Sequence, residues 1–154
     1  MKRTMTVEIG FVIVAHGRLG EELLRVATHI MGDKLGLIRT VGVPFMTEAG
    51  GDGFTSFAQR RRRIGEQLRQ AIDLVDSGGG VIVLTDIVGG TAFNVSREIL
   101  RPGEGAVVSG VNLPMLLKLP SVRLQSGADP IAEAVYQLVG RSRQGIAFRL
   151  SPGE

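Results

Sequence analysis

One histidine in this sequence stands where its chemistry is usable. In Phe11-Val12-Ile13-Val14-Ala15-His16-Gly17 an apolar, β-branched run ends in an imidazole, and a glycine follows. An unbroken run of this kind marks a parallel strand buried on both faces. His16 then sits where the chain leaves the sheet, the edge at which open α/β sheets place their ligands. Taken alone, the stretch leaves two readings open: a residue that merely caps a strand end, or a nucleophile at a ligand site. A second stretch, Asp86-Ile87-Val88-Gly89-Gly90-Thr91, follows another apolar run, Val81 to Thr85. If the strand order reverses between these two runs, His16 and Asp86 flank one crevice. A carboxylate there accepts the proton of one ring nitrogen and fixes the tautomer. The other nitrogen is left free to attack phosphorus or to act as a general base. Gly89 and Gly90 let the backbone approach a ligand closely. Thr91 opens a helix whose unpaired N–H groups face the crevice and favour an anion. A lone Gly-Gly also makes an ordinary tight turn, but its company here favours the anion site.

Other chemistries fit less well. A histidine phosphatase calls for arginine just before the histidine, where Ala15 stands. The Walker pattern is missing, and no Gly-x-Gly-x-x-Gly follows a strand. A flavin would want a Ser/Thr-rich first loop and a stacking Trp, and the chain has neither. His16 and His29 are the only histidines, and neither has a carboxylate at metal-ligand spacing, so no metal and no cofactor are expected. His29 falls mid-helix and reads as a surface residue. Absence of cysteine removes disulfides and thiolate metal sites. A net charge of +3, mainly from arginine, is mild and compatible with acidic partners. With no Trp and 1 Tyr the chain lacks stacking platforms for bases, so no nucleic-acid partner is expected. No signal peptide is visible and no apolar run reaches a membrane span, which makes a cytoplasmic location the expectation.

The elements that must position these residues follow from hydrophobic period. The 154 residues, 44% apolar and 21% charged, suit one domain over positions 1–154 with one core. Glu8 to Ala15 reads as the first strand. The next helix carries Leu23, Leu24, Ala27, Ile30 and Met31 as its apolar stripe and stops at Gly32. Leu35 to Val43 reads as the second strand, ended by Pro44. Thr47 to Gly53 reads as a surface loop, and Asp52 can cap a long helix from Phe54 to Val75. The apolar stripe of that helix is Phe54, Phe57, Ile64, Leu68, Ala71, Ile72 and Val75. Val81 to Thr85 is the third strand, followed by a helix to about Leu100. Ala106 to Gly110 is the fourth. Asn112 or Leu113 before Pro114, and Asp129 before Pro130, each start a helix. The first of these runs toward Leu119, and the second carries Ile131, Val135, Leu138 and Val139. Gly145 to Leu150 suggests a short fifth strand. Strands alternating with helices imply parallel pairing and right-handed crossovers. The expected fold is a doubly wound α/β domain with a mostly parallel four-stranded sheet, order 2-1-3-4 along the chain, and helices on both faces.

Three stretches in this order resemble a known family. Ile13-Val14-Ala15-His16-Gly17 is similar to a phosphorylated-histidine motif. Thr85-Asp86-Ile87-Val88-Gly89-Gly90-Thr91-Ala92-Phe93-Asn94 resembles Asp-x-x-Gly-Gly-Ser-Pro-Phe-Asn. Ser109-Gly110-Val111-Asn112-Leu113-Pro114-Met115 resembles a stretch ending Gly-Val-Asn-x-Pro-Met. All three belong to the mannose-family IIA components of the bacterial phosphoenolpyruvate-dependent sugar phosphotransferase system, and the resemblance covers most of the chain. It implies that His16 takes a phosphoryl group from the phosphocarrier HPr and passes it to a histidine of a IIB component. His16 and Asp86 are then the catalytic pair, with the phosphoryl group on Nε2 and the other nitrogen on Asp86. Gly17, Gly89, Gly90 and Thr91 become phosphoryl-binding positions, with no metal. The resemblance further implies an indirect link to a membrane permease and a homodimer, since members often dimerise, some by exchanging a C-terminal strand, a part open to Gly145 to Leu150. A regulatory module without transport, and a phosphoryl donor to a dihydroxyacetone kinase, are alternatives with the same chemistry. The kinase-linked family typically has Ser where Gly17 stands. Thr91-Ala92 departs from Ser-Pro, keeping the hydroxyl and losing chain stiffness.

Arg60-Arg61-Arg62-Arg63 is not explained by the resemblance. At ~100° per residue four neighbours sweep most of a helix circumference and cannot share one solvated face. Arg61 falls in the stripe of Phe57, Ile64 and Leu68, in an early turn near the site edge. It reads either as a snorkelling rim residue or as a contact to a partner or the phosphoryl group.

Overall fold

The computed structural model describes residues 6–45 and 56–151. Its centre is the run that the sequence marks as apolar on both faces: β2, Gly10–His16, with Phe11 to Val14 at 0% exposure. Parallel partners lie on both sides of it. β3 (Ile38–Val43) pairs from Phe11↔Ile38 to His16↔Val43, and β4 (Val81–Thr85) from Gly10↔Val81 to Val14↔Thr85. β5 (Gly105–Ser109) adds to β4, so the order is β3-β2-β4-β5, the reversal expected from the sequence. Successive side chains point to opposite faces. Phe11, Ile13, Ala15, Ile82, Leu84 and Val108 pack on one face with α1 (Leu19–Met31), α4 (Leu113–Val122) and α5 (Pro130–Gln144). Val12, Val14, Val41, Val43, Val81 and Val83 pack on the other with α2 (Phe57–Val75) and α3 (Thr91–Ile99).

Several boundaries differ from the sequence expectation, each for a local reason. The first strand is not one run from Glu8. Val7–Glu8 forms a separate β1, antiparallel to β6 (Leu124–Gln125), and the sheet strand continues through His16. Leu35 does not open the second strand. It ends a 3-10 turn, Gly32–Leu35, which buries its side chain, and Gly36 at φ 72° turns the chain into β3. α2 starts at Phe57, with Ser56 Oγ accepting from the Gln59 N–H at 3.2 Å. Phe54, the Thr47–Gly53 loop and the Asp52 cap lie outside the described residues. Ile30 is exposed, so the stripe of α1 is narrower than its spacing implied. α4 continues past Leu119 and through Pro120, because Leu119 and Val122 are buried at 0% exposure. The N-caps Asn112 and Asp129 are as expected, accepting from Met115 and Ala132 at 2.9 and 3.0 Å.

No fifth sheet strand forms at 145–150. Ile146, Phe148 and Leu150 alternate as a strand would, yet each is more than three-quarters exposed, at 81%, 89% and 78%. A strand needs a partner ladder, and this segment pairs with none in the described chain. Among the described residues, no helix is long and apolar enough to cross a membrane.

Candidate functional site

The reversal of order between β2 and β4 brings their ends side by side. β4 ends at Thr85 opposite Val14, so Asp86 emerges beside the last residue of β2. Asp86 Oδ2 accepts both the His16 backbone N–H at 2.8 Å and the ring Nδ1 at 2.7 Å. Its Oδ1 accepts the Ile87 N–H at 2.9 Å. Burial alone would raise the Asp86 pKa, but the His16 backbone and ring together with the Ile87 N–H outweigh it and hold the carboxyl below its ordinary value. An ionised carboxylate has no proton to give, so Nδ1 is the donor and Nε2 carries the lone pair. The Asp86 side chain is 11% exposed and that of His16 37%, so the ring stays partly open to solvent.

The Gly-Gly-Thr turn supplies the other wall. Gly89 takes φ 78°, and Gly90 is the extended N-cap of α3 with no side-chain cap. A Cβ on Gly90 would lie 3.7 Å from His16 Cε1, so the backbone runs close along the ring. The opening N–H groups of α3 are therefore uncapped next to the imidazole, at the positive end of the helix dipole. Asn94 braces this turn, its Nδ2 donating to the Gly89 carbonyl at 2.9 Å. Sequence reading gave Asn94 no role; only its place in the resembling stretch pointed to it.

Gly17 plays a different part from Gly89 and Gly90. Its N–H donates to the Val43 carbonyl at 2.8 Å and is not available to a ligand. It turns the chain at φ 55°, where a Cβ would meet the Phe45 ring at 2.6 Å. A cavity of about 110 Å³ lies against His16 and Thr91, walled by Phe45, Phe57, Arg60 and Arg61. Phe57, read from its spacing as core, is 57% exposed and belongs to this wall. Arg61 is 31% exposed on its side chain and is paired with Glu98 of α3, a partner with no local sequence signal. His29 is exposed on α1, away from this group. Among the described residues, no three His, Cys, Asp or Glu side chains gather as metal ligands.

A histidine held by a half-buried carboxylate at an uncapped helix start has the chemistry of a nucleophile facing an anion site. Residues 10–136, which carry all of this geometry, match the model of the PTS system fructose IIA component, where PTS is the phosphotransferase system. The chain belongs to that family. This IIA chain is 28% identical over 151 residues to the mannose-specific EIIAB component of Escherichia coli K12, covering 95% of its own length and 41% of that protein. It therefore spans less than half of that relative. It is 29% identical over 116 residues to the fructose-specific EIIA component of Bacillus subtilis, 75% of this chain and 70% of that one. Two solved structures share the fold: a phosphotransferase system EIIA from Streptococcus agalactiae, with TM-score 0.70, 23% identity and coverage of 91% and 96%; and a mannose/sorbose-specific IIA subunit from Enterococcus faecalis, with TM-score 0.66, 22% identity and coverage of 96% and 99%.

Proposed function

We propose that this IIA chain acts as one domain that carries a phosphoryl group on His16. HPr is the donor, and a histidine of a IIB component is the acceptor. Nε2 of His16 attacks phosphorus, its lone pair forming the new N–P bond while the donor's N–P bond breaks and returns its electron pair to the donor nitrogen. The Nδ1 proton stays in its hydrogen bond to Asp86, which offsets the positive charge that develops on the ring. Thr91 and the first N–H groups of α3, reached through the Gly89-Gly90 turn, take the phosphoryl oxygens. Gly17 acts as a spacer beside the ring rather than as a donor. The second transfer runs the same chemistry toward IIB.

The observation that carries this reading is the 2.7 Å bond from Nδ1 to Asp86, which leaves Nε2 free beside the uncapped start of α3. In this reading the protein is cytoplasmic, feeds a membrane permease through IIB, and supports sugar uptake and phosphorylation. The exposed Ile146, Phe148 and Leu150 favour a homodimer that covers them. Incubation with phosphoenolpyruvate, enzyme I and HPr is expected to place one acid-labile phosphoryl group on His16. Absence of incorporation with partners shown to be active on their own substrates refutes the carrier role, and a monomer by sedimentation refutes the dimer.

A further inference from the structure

The arginine run is the part of the site that the carrier role leaves unused. Arg61 borders two cavities at once. One is the space of about 110 Å³ shared with His16 and Thr91, and the other a groove of about 630 Å³ between α2 and α3, lined also by Gly65, Val95 and Ile99. Its guanidinium is paired with Glu98 on the groove side. Glu98 is 61% exposed, and an ion pair with so exposed a partner contributes little, so exchanging it for another anion is inexpensive. Both cavities have this side chain in their lining, so a change of rotamer is the movement that would take the guanidinium from one toward the other.

The charge balance of the loaded site calls for such a movement. A phosphoryl group brings about −1.5 to −2 charge. It would arrive next to Asp86, whose own pKa is lowered. The ring, protonated on Nδ1 and bonded to phosphorus on Nε2, offsets one unit of this charge and the start of α3 roughly +0.5 more, which still leaves the site about −1 to −1.5. The opposite wall carries guanidinium groups, Arg60 and Arg61, and of the two Arg61 also reaches the groove between α2 and α3; guanidinium, with five donors in a planar fork, suits phosphoryl oxygens. Space is adequate: at ~30 Å³ per water, the His16 cavity has the room of three to four waters.

We propose that Arg61 is a phosphoryl-binding residue, which leaves Glu98 and donates to a phosphoryl oxygen when His16 is loaded. This rests on the phosphohistidine reading above. Glu98 is then the resting partner that keeps the guanidinium close while the site is empty.

The test compares wild type, Arg61→Ala, Arg61→Lys, Glu98→Gln and Arg62→Ala for loading from phosphorylated HPr, with maximal rate and half-saturation measured separately. Arg62 pairs with Glu66 at 82% exposure and controls for loss of charge alone. Arg61→Ala is expected to lower the maximal rate at least ~10-fold with half-saturation little changed, and to shift the ³¹P resonance of the phosphohistidine. Arg61→Lys, which keeps the charge and loses the fork, falls between, and its folding is checked by thermal melting. Glu98→Gln is expected to load faster by up to about fivefold. An Arg61→Ala protein that keeps the wild-type maximal rate overturns the proposal, and so does one altered only in half-saturation, which is docking. Equal effects of Arg62→Ala overturn it as well. Failure of the wild type to take up phosphoryl refutes the carrier reading itself, a separate outcome.

Discussion

Asp86→Asn isolates what the carboxylate contributes. Three N–H donors converge on Asp86: the His16 backbone and Nδ1 on Oδ2, at 2.8 and 2.7 Å, and the Ile87 backbone on Oδ1, at 2.9 Å. Asparagine has one oxygen and one NH₂. With the oxygen toward His16 it keeps two of these bonds, and the NH₂ is opposed only to the Ile87 N–H. Turned the other way, the NH₂ faces two donors, which is worse. The amide is therefore expected to keep its oxygen on the ring, preserving the Nδ1–H tautomer while losing the charge. A hydrogen bond to a charged group is worth about 1.5–3 kcal/mol, and each ~1.4 kcal/mol is tenfold in rate. The maximal rate of phosphoryl transfer from phosphorylated HPr should fall roughly 10- to 150-fold, measured by rapid quench, with ¹⁵N resonances of His16 still reporting a proton on Nδ1. A wild-type rate would refute the role of the charge. A loss near ~10⁴-fold, with the proton moved to Nε2, would refute the orientation argued here, since that is the scale of a wrong tautomer in a comparable histidine–carboxylate pair.

Two further predictions concern stability. Glu104 is held to about 2 by Arg69, chiefly through hydrogen bonds, and then by the Arg101 N–H, against the opposing effect of burial. The guanidinium is bidentate, with contacts of 2.9 and 2.6 Å, and Glu104 is 12% exposed. A depressed folded pKa means stability fully present above the unfolded value near 4.5 and lost as pH falls through about 2. Glu104→Gln should cost about 2 kcal/mol by urea unfolding at pH 7, with the gap to wild type closing between those two values; a gap independent of pH would count against the pair. Gly17→Ala should lower Tm by roughly 2–8 °C in calorimetry, from a left-handed backbone cost of about 1–2 kcal/mol with the Phe45 ring displaced. An unchanged Tm would show that the turn relaxes.

What could be read in the sequence was what long patterns determine. β2 and β4 are unbroken apolar runs, and with the strand order they dictate that His16 and Asp86 meet. The β1–β6 ribbon was out of reach because two residues on each side carry no period. Phe57 misled because helical spacing assigns a face but not a depth: at the first residue of α2 the same face meets the His16 cavity instead of the core. The Arg61–Glu98 pair depends on how closely α2 and α3 approach. They cross where a Cβ on Gly65 would lie 3.0 Å from Ile99 Cδ1, and no local pattern encodes that. The tail misled for the opposite reason. Its alternation is that of a strand, but a strand exists only where another edge receives it.

The Thr91-Ala92 departure from Ser-Pro gains meaning from the helix geometry. Thr91 is the first residue of α3 and Ala92 the second, with Gly90 as an extended cap. Proline at that second position has no N–H, which a helix start tolerates because the group is unpaired there anyway. Where the unpaired groups face an anion, however, each N–H is a donor. Alanine thus adds a donor that proline lacks, and Thr91 keeps the hydroxyl. The Ala92 methyl group is buried at 0% exposure against the α2 side of the core, which holds the first turn in place by packing where a proline ring would have stiffened it. The loss of stiffness inferred from sequence is therefore offset on two counts. A phosphoryl group on His16 would meet a helix start with one more backbone donor than the Ser-Pro pattern provides.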